Sequence, residues 1–463
     1  MPLMKNQVIP LEITAMSAEG NGIGRYVEDG AESGLVVFVP RTAVGDHISC
    51  RILKVQKSLA YGRVEELLER SPHRTADDGA DCAAFGRCGG CVFRHVTYEA
   101  ELQYKWQRVA DALARIGGLS LTPEPIVGAA DSDHYRNKAQ YPVAPGEHRL
   151  LVGFYAARSH RLVEQRDCRL QPPVFRAILD IVMRWAKKAG VTAYDEQTKT
   201  GLLRHIYIRQ AEATGQLMVC LVCTSGKLPQ TGALTAALRE VEGVSSIVVN
   251  LNRADTNVIL GDSEFLLWGE PYIVDELCGL RFRLSPRSFY QVNRRQAERL
   301  YRLAAEAAAL TGGETLLDLY CGTGTIGLTM AAQAKTLIGV EVVEQAVADA
   351  RRNAEENGIA NARFLCADAG EAAVQLRREG VRPDVVILDP PRKGCSPEVI
   401  ETVAEMAPAR VVYVSCDPAT LARDLKKFAE RGYEAVHAVP VDMFPRTAHV
   451  ETVCSVRNTK TAK

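Results

Sequence analysis

The stretch TLLDLYCGTGTIGLTMA, residues 315–331, decides how the second half of this chain folds. An apolar run reads as a buried strand. Glycines at 322, 324 and 327 then allow a tight turn, and TIGLTMA continues at helical spacing. A strand, a glycine turn and a helix in that order form a nucleotide-binding corner. The bare turn lets a ligand approach the backbone, and the helix N-terminus faces it. The next strand, TLIGVE, ends in Glu341, whose carboxylate suits ribose hydroxyls. Dinucleotide enzymes and S-adenosylmethionine (SAM) enzymes share this geometry, so these two features leave the cofactor open.

Working outward, helices and apolar strands alternate from about residue 290 to the end, which implies βαβ units and a mostly parallel sheet. Ligands of such sheets sit at the carboxyl ends of the strands. Those ends nominate Asp318, Glu341, Asp368, Asp389 and Cys416. Asp389-Pro390-Pro391 is a rigid turn able to aim a carboxylate and carbonyls at a planar base, a device that a nicotinamide dehydrogenase does not need. In VVYVSCDPATLARD (411–424) a buried strand closes on Cys416, and a helix follows at Pro418. A thiol there is either packing material or a nucleophile at the mouth of a site.

The chain has 463 residues, which predicts about two to four domains. Its 47% hydrophobic content is that of a well-cored globular protein. No apolar run of about 18 residues predicts a membrane span, and MPLMKNQVIPLEIT lacks the pattern of a signal peptide, so a cytoplasmic protein is expected. Basic and acidic residues balance at 56 each, so any RNA contact must come from local patches. Residues 1–70 read as a small β-barrel, its short strands broken by Gly20, Gly22, Gly24 and Asp-Gly turns, with SPHR (71–74) as a linker. Residues 71–290 form a mixed central domain that includes an amphipathic helix over about 94–118, and residues 291–463 form the α/β domain.

Thirteen cysteines in a cytosolic chain should be mostly reduced. Cys82, Cys88 and Cys91 are spaced C-x5-C-G-G-C, and Gly89-Gly90 lets the loop curl around a centre. Cys168, in a polar loop, is the best fourth ligand. Zinc and an iron–sulfur cluster both remain open on spacing. Cys220 and Cys223, three apart on a strand, point to opposite faces and read as core, as do Cys50, Cys278, Cys321, Cys366, Cys395 and Cys454.

DLYCGTGTIGL, LDPPRKG, SCDPATLARD and PRTAHVETV, with SPRSFYQVN ahead of the sheet, resemble the RNA uracil-C5 methyltransferase family. The first 70 residues look like a TRAM domain, an OB-like module found on RNA-modifying enzymes. With the C-x5-C-x2-C motif, the likeness is closest to the branch that acts on 23S rRNA. It implies a TRAM barrel, a central domain with a metal cluster and a Rossmann-like SAM domain, acting as a monomer. It also implies a SAM pocket lined by Gln291, Tyr320, Glu341 and Asp389, with Thr325 and Asp368 beside them. It further implies a [4Fe–4S] cluster on Cys82, Cys88, Cys91 and Cys168.

Uracil C5 is too weak a nucleophile to attack a methyl sulfonium unaided. A thiolate adding at C6 activates it, and a base must later remove the C5 proton. Cys416 fits the nucleophile, and the helix after it would lower its pKa. Glu451, placed on one strand face with His449, takes the role of base by its position in the family motif. The target uridine must leave its stack, so single-stranded RNA loops are the expected substrate. Arg281-Phe282-Arg283, Arg287-Ser288-Phe289-Tyr290 and Tyr135-Arg136-Asn137-Lys138 interleave charge and aromatics as RNA-contact candidates. The rival readings are a nicotinamide oxidoreductase, a non-catalytic RNA-binding module and a cytosine-C5 enzyme.

Overall fold

The computed structural model describes residues 3–27 and 34–460, and the Asp29-Gly30 turn expected in the barrel lies outside them. The N-terminal sheet runs in the order Val8–Glu12, His47–Val55, Leu59–Glu69, Leu35–Val39, Gly22–Tyr26, Ala15–Met16. Alternating burial along Val8–Glu12 and His47–Val55 turns one face of each strand into the barrel core. Of the three expected turn glycines only Gly20 makes a turn, with φ 79°. Gly22 lies within a strand, where a Cβ would come within 2.0 Å of the Thr42 hydroxyl. The segment 71–74 is no loose linker. Buried Asp46 accepts from the Ser71 backbone N–H at 3.1 Å and pairs with the Arg74 guanidinium at 2.8 Å, welding the barrel to the start of the central region.

The central sheet has the order Ser263–Gly269, Val244–Leu251, Leu217–Cys223, Leu203–Gln210, Lys138–Pro145, Leu150–Tyr155, Leu162–Glu164. Cys223 packs under the helices Val174–Lys188 and Thr231–Arg239, while Cys220 faces the core shared with the C-terminal domain. Their opposite faces follow from strand geometry, and both faces of this sheet are covered. Cys50, Cys321, Cys395 and Cys454 are also buried, but Cys278 and Cys366 are exposed. Cys278 occupies a hairpin turn with φ 51°, and Cys366 ends a strand at the edge of a sheet, so neither has a core to enter.

The C-terminal sheet has the order Ala362–Cys366, Thr336–Glu341, Thr315–Leu319, Val385–Leu388, Arg410–Ser415, Glu451–Asn458, Tyr433–Val441. The first five strands are parallel, and Glu451–Asn458 runs antiparallel to both of its neighbours. Strand order reverses between Thr315–Leu319 and Val385–Leu388, which opens a crevice at their carboxyl ends. Helix Arg294–Ala308 packs on one face. The other carries helices Ala369–Arg378, Pro397–Met406 and Pro418–Ala429. Val109, Ala112 and Leu113 join that second core, so the upstream helix docks on the C-terminal sheet. It spans Tyr98–Asp111 and continues as one π-helical turn, Ala112–Ile116. Among the described residues, no helix is long and apolar enough to cross a membrane.

A buried charge hub fixes that docking. Lys105 Nζ donates to Glu101 at 2.6 Å, to Asp442 at 2.7 Å and to the Phe444 carbonyl at 3.2 Å, and Tyr98 OH donates to Asp442 at 2.8 Å. Lys105→Met would leave two buried carboxylates without their shared cation. A loss of about 3–5 kcal/mol is expected, read as a lower denaturant midpoint with an unchanged slope.

Candidate active site

Cys416 sits where the strand Arg410–Ser415 hands over to the helix Pro418–Ala429. Asp417 caps that helix, accepting from the Ala419 and Thr420 backbone N–H groups at 2.9 and 3.0 Å, and Pro418 occupies its first turn. The sharp exit leaves the thiol partly exposed at the carboxyl end of the sheet. Because Glu451–Asn458 runs antiparallel, its first residue lies beside the last residues of Arg410–Ser415, with Thr452 opposite Ser415. Cys416 and Glu451, 35 positions apart in sequence, therefore meet at one end of the sheet.

Electrostatics link the two. Burial, then the Glu451 and Asp389 carboxylates, push the Cys416 thiol up to about 11, against the opposing pull of Arg392. The lowering expected from the helix N-terminus is outweighed, because desolvation and two carboxylates act on the same sulfur. Glu451 is itself pushed up to about 8 by burial and by Asp389, and Asp389 to about 7 by burial. Asp389 thus helps to hold Glu451 neutral, and both carboxyls titrate near neutral pH.

His449 does not share a strand face with Glu451, since the strand begins at Glu451. It lies in the preceding loop, 3.3 Å from Arg392 Nη2 and edge-on to Phe444. Burial and the cations Arg392, Arg108, Lys105 and Arg136 push its pKa down to about 4. A chain with no net charge thus gathers positive charge around His449. Sequence reading missed Arg108 and Arg392. Arg392 lies within the quoted LDPPRKG, and its place directly after a turn at a strand end was the available signal.

At the crevice, Gly322 and Gly324 take φ of 56° and 80°, and a Cβ on Gly322 would meet nothing within 4 Å. That open space beside the turn is what an adenosyl group requires. Glu341 accepts from the Gly322 and Val343 backbone N–H groups at 3.1 and 2.9 Å, so it stands at the rim of the turn. Asp318 lies beneath it, fully buried, accepting from Gly327 N–H at 2.9 Å, and burial with Asp389 nearby pushes it up to about 8. Tyr320 follows the first strand with φ 68°. The Asp368 carboxylate caps a helix through Gly370 N–H at 2.8 Å, and the Thr325 hydroxyl is held by Tyr301 OH at 3.0 Å. Both of those side chains already have protein partners. The Gln291 carbonyl accepts from Asn137 Nδ2 at 3.0 Å, which ties the central sheet to this crevice.

The interleaved patches divide by burial. Phe282 and Tyr290 are core, and Tyr290 donates to Asp275. Tyr135 is buried and donates to the Pro445 carbonyl. Of these aromatics only Phe289 is exposed, at 62%. Arg136 lines a cavity of about 2030 Å³ that also runs past Cys416, Arg392 and Phe38 of the barrel. Cys416 and the barrel thus open onto one space.

Cys82, Cys88, Cys91 and Cys168 line that same cavity, and none is in a disulfide. Burial comes first in raising Cys91 to about 12 and Cys168 to about 11, and neighbouring thiols add to it, Cys168 and Cys88 acting on Cys91 and Cys88 and Cys82 on Cys168. Gly90 N–H and Gln165 Nε2 point at the Cys88 and Cys82 sulfurs at 3.4 and 3.6 Å. Among the described residues, no three His, Cys, Asp or Glu side chains stand in metal-holding geometry. The all-sulfur donor set, with N–H groups aimed at sulfur, fits a centre held by thiolates.

Known proteins place this arrangement. The tRNA (uracil-5-)-methyltransferase family model matches residues 97–458, and the TRAM domain model matches residues 2–64. An uncharacterized RNA methyltransferase of Halalkalibacterium halodurans is 42% identical over 98% of this chain and 97% of its own length. Another from Clostridium acetobutylicum is 40% identical over 99% and 98%. The crystal structure of the Pyrococcus abyssi tRNA (uracil-54, C5)-methyltransferase in complex with S-adenosyl-L-homocysteine superimposes with a TM-score of 0.77. It is 27% identical and covers 97% of this chain and 100% of that one. With a thiol and a buried carboxylate meeting above a glycine turn, and with models matching nearly end to end, this chain belongs to the RNA uracil-C5 methyltransferase family and carries a TRAM domain.

Proposed function

We propose that this chain methylates C5 of a uridine in 23S rRNA, using SAM, through a covalent Cys416–C6 adduct. The observation that carries the reading is the meeting of Cys416 and Glu451, acting on one another electrostatically at the carboxyl end of the sheet. SAM supplies an electrophilic methyl group. Gln291, Tyr320, Glu341 and Asp389 hold it, with Thr325 and Asp368 at the edge of the pocket. The Cys416 thiolate bonds to uracil C6, and the C5=C6 electron pair shifts to make C5 an enolate carbon. C5 takes the methyl group as the S–CH3 bond breaks, and S-adenosylhomocysteine is left. The Glu451 carboxylate then accepts the C5 proton, the C6–S bond breaks, the double bond re-forms and the thiolate returns.

Cys82, Cys88, Cys91 and Cys168 hold a [4Fe–4S] cluster in this reading. It would clamp the loop 82–91 to Cys168 within the RNA-facing cavity. Anaerobically purified protein is expected to show a broad absorption near the charge-transfer region and about four iron per chain, both lost in Cys88→Ala. Stoichiometric zinc without iron would replace the cluster with a zinc site.

The deciding experiment compares rRNA and tRNA by mass spectrometry from cells with and without the gene. A missing 5-methyluridine in 23S rRNA supports the proposal. A missing one in tRNA supports a second reading, which is favoured by the name of the matching family model and by the archaeal tRNA enzyme. Loss of neither removes both.

A further inference from the structure

Arg108 stands near the end of the helix Tyr98–Asp111, outside the C-terminal sheet. Its Nη1 donates to the Ala448 carbonyl at 2.8 Å, and its Nη2 reaches Asp417 Oδ2 at 3.4 Å. Asp417 directly follows Cys416, and Ala448 precedes Glu451 by three residues. One guanidinium therefore bridges the two segments that carry the proposed nucleophile and base. We propose that Arg108 is a positioning residue, setting the separation between Cys416 and Glu451 from outside the sheet that bears them. This inference rests on the functional reading above.

Four observations support it. The segment between Tyr433–Val441 and Glu451–Asn458 belongs to no helix or strand, which leaves its carbonyls free to accept from outside it. Lys105 takes the Phe444 carbonyl and Arg108 takes that of Ala448, so one helix face holds the loop at two points. The helix is anchored by the buried Lys105–Glu101–Asp442 hub, which makes it a rigid support. On the other side, Asp417 Oδ1 is committed to capping the helix after Cys416, so a pull on Oδ2 is passed to the turn that presents the thiol. A planar guanidinium holds its donors in a fixed fork, whereas a lysine ammonium turns freely on a flexible stem.

The rival role is a phosphate contact, because the Arg108 side chain is 21% exposed and lines the cavity. Kinetics separate the two. For Arg108→Ala, kcat is expected to fall about tenfold to a hundredfold, with KM for RNA and SAM affinity within about twofold and an unchanged salt slope. RNA carrying 5-fluorouridine, whose C5 fluorine cannot leave as a proton, traps the methylated adduct. Its rate of trapping should fall in parallel with kcat. Arg108→Lys should restore only part of kcat. Asp417→Asn keeps the cap but weakens the bridge; it should lower kcat without raising KM, and it serves if Arg108→Ala does not fold. A raised KM with unchanged kcat and a shallower salt slope overturns the proposal, as do wild-type kinetics in both variants. Wild-type protein that neither methylates nor traps any RNA sinks the functional reading itself, and this inference with it.

Discussion

Cys416→Ala loses methyl transfer by about 10⁴-fold or more, while the protein still folds and binds SAM. Cys395 and Cys321, in the loops after Val385–Leu388 and Thr315–Leu319, are buried, and burial pushes Cys395 up to about 12 and Cys321 higher still. Cys416 is partly exposed at a strand-to-helix turn, so alanine there opens no core cavity. Calorimetry should give SAM binding close to that of wild type, because the proposed pocket residues lie on other strand ends. Retained methylation in this variant would remove the covalent mechanism. In the wild type the thiolate is the reactive form, so adduct formation should climb with pH toward the raised thiol value of about 11.

Glu451→Gln is expected to stall the reaction one step later, with the methylated RNA still bonded to the protein. Glutamine keeps the shape but cannot accept the C5 proton. A covalent protein–RNA band should therefore build up on a denaturing gel under turnover conditions. If product is released at the wild-type rate, Glu451 is not the base. The variant also makes a pH prediction. The Glu451 carboxylate is one of two that raise the Cys416 thiol, so its removal lets Cys416 ionise at lower pH, and adduct formation in Glu451→Gln should rise earlier than in wild type. Stability gives an independent reading. Glu451 has a folded-state pKa of about 8, above its unfolded value. Its contribution is thus fully present below the unfolded pKa of about 4.3 and is lost as pH rises through the folded one. The melting temperature of Glu451→Gln relative to wild type should increase between about pH 5 and about pH 9.

Much of this was legible residue by residue. The glycine turn at 322–327, the Asp389-Pro-Pro turn and the Cys416-Asp-Pro exit are local features, because backbone freedom, proline rigidity and helix capping act over a few neighbours. The order of helices and strands from about residue 290 follows from periodicity in the same way. Patterns of charge and aromatics were less informative. Phe282, Tyr290 and Tyr135 look like contact residues in sequence yet lie in the core, because alternation alone does not tell which face a neighbouring layer covers. Cys278 and Cys366 erred in the opposite direction, since a hairpin turn and a sheet edge offer nothing to pack against.

The chain alone determined where its strands end and which thiol and acids stand at those ends, since each is dictated by neighbours along the backbone. Only the tertiary structure decided what those groups meet. The antiparallel return of Glu451–Asn458 brings the carboxylate to the thiol, and burial raises the Glu451 and Asp389 carboxyls toward neutral pH. A helix from the first quarter of the sequence supplies the guanidinium that braces both segments. Long-range pairing and desolvation depend on the whole packed assembly, and no window of neighbouring residues contains them.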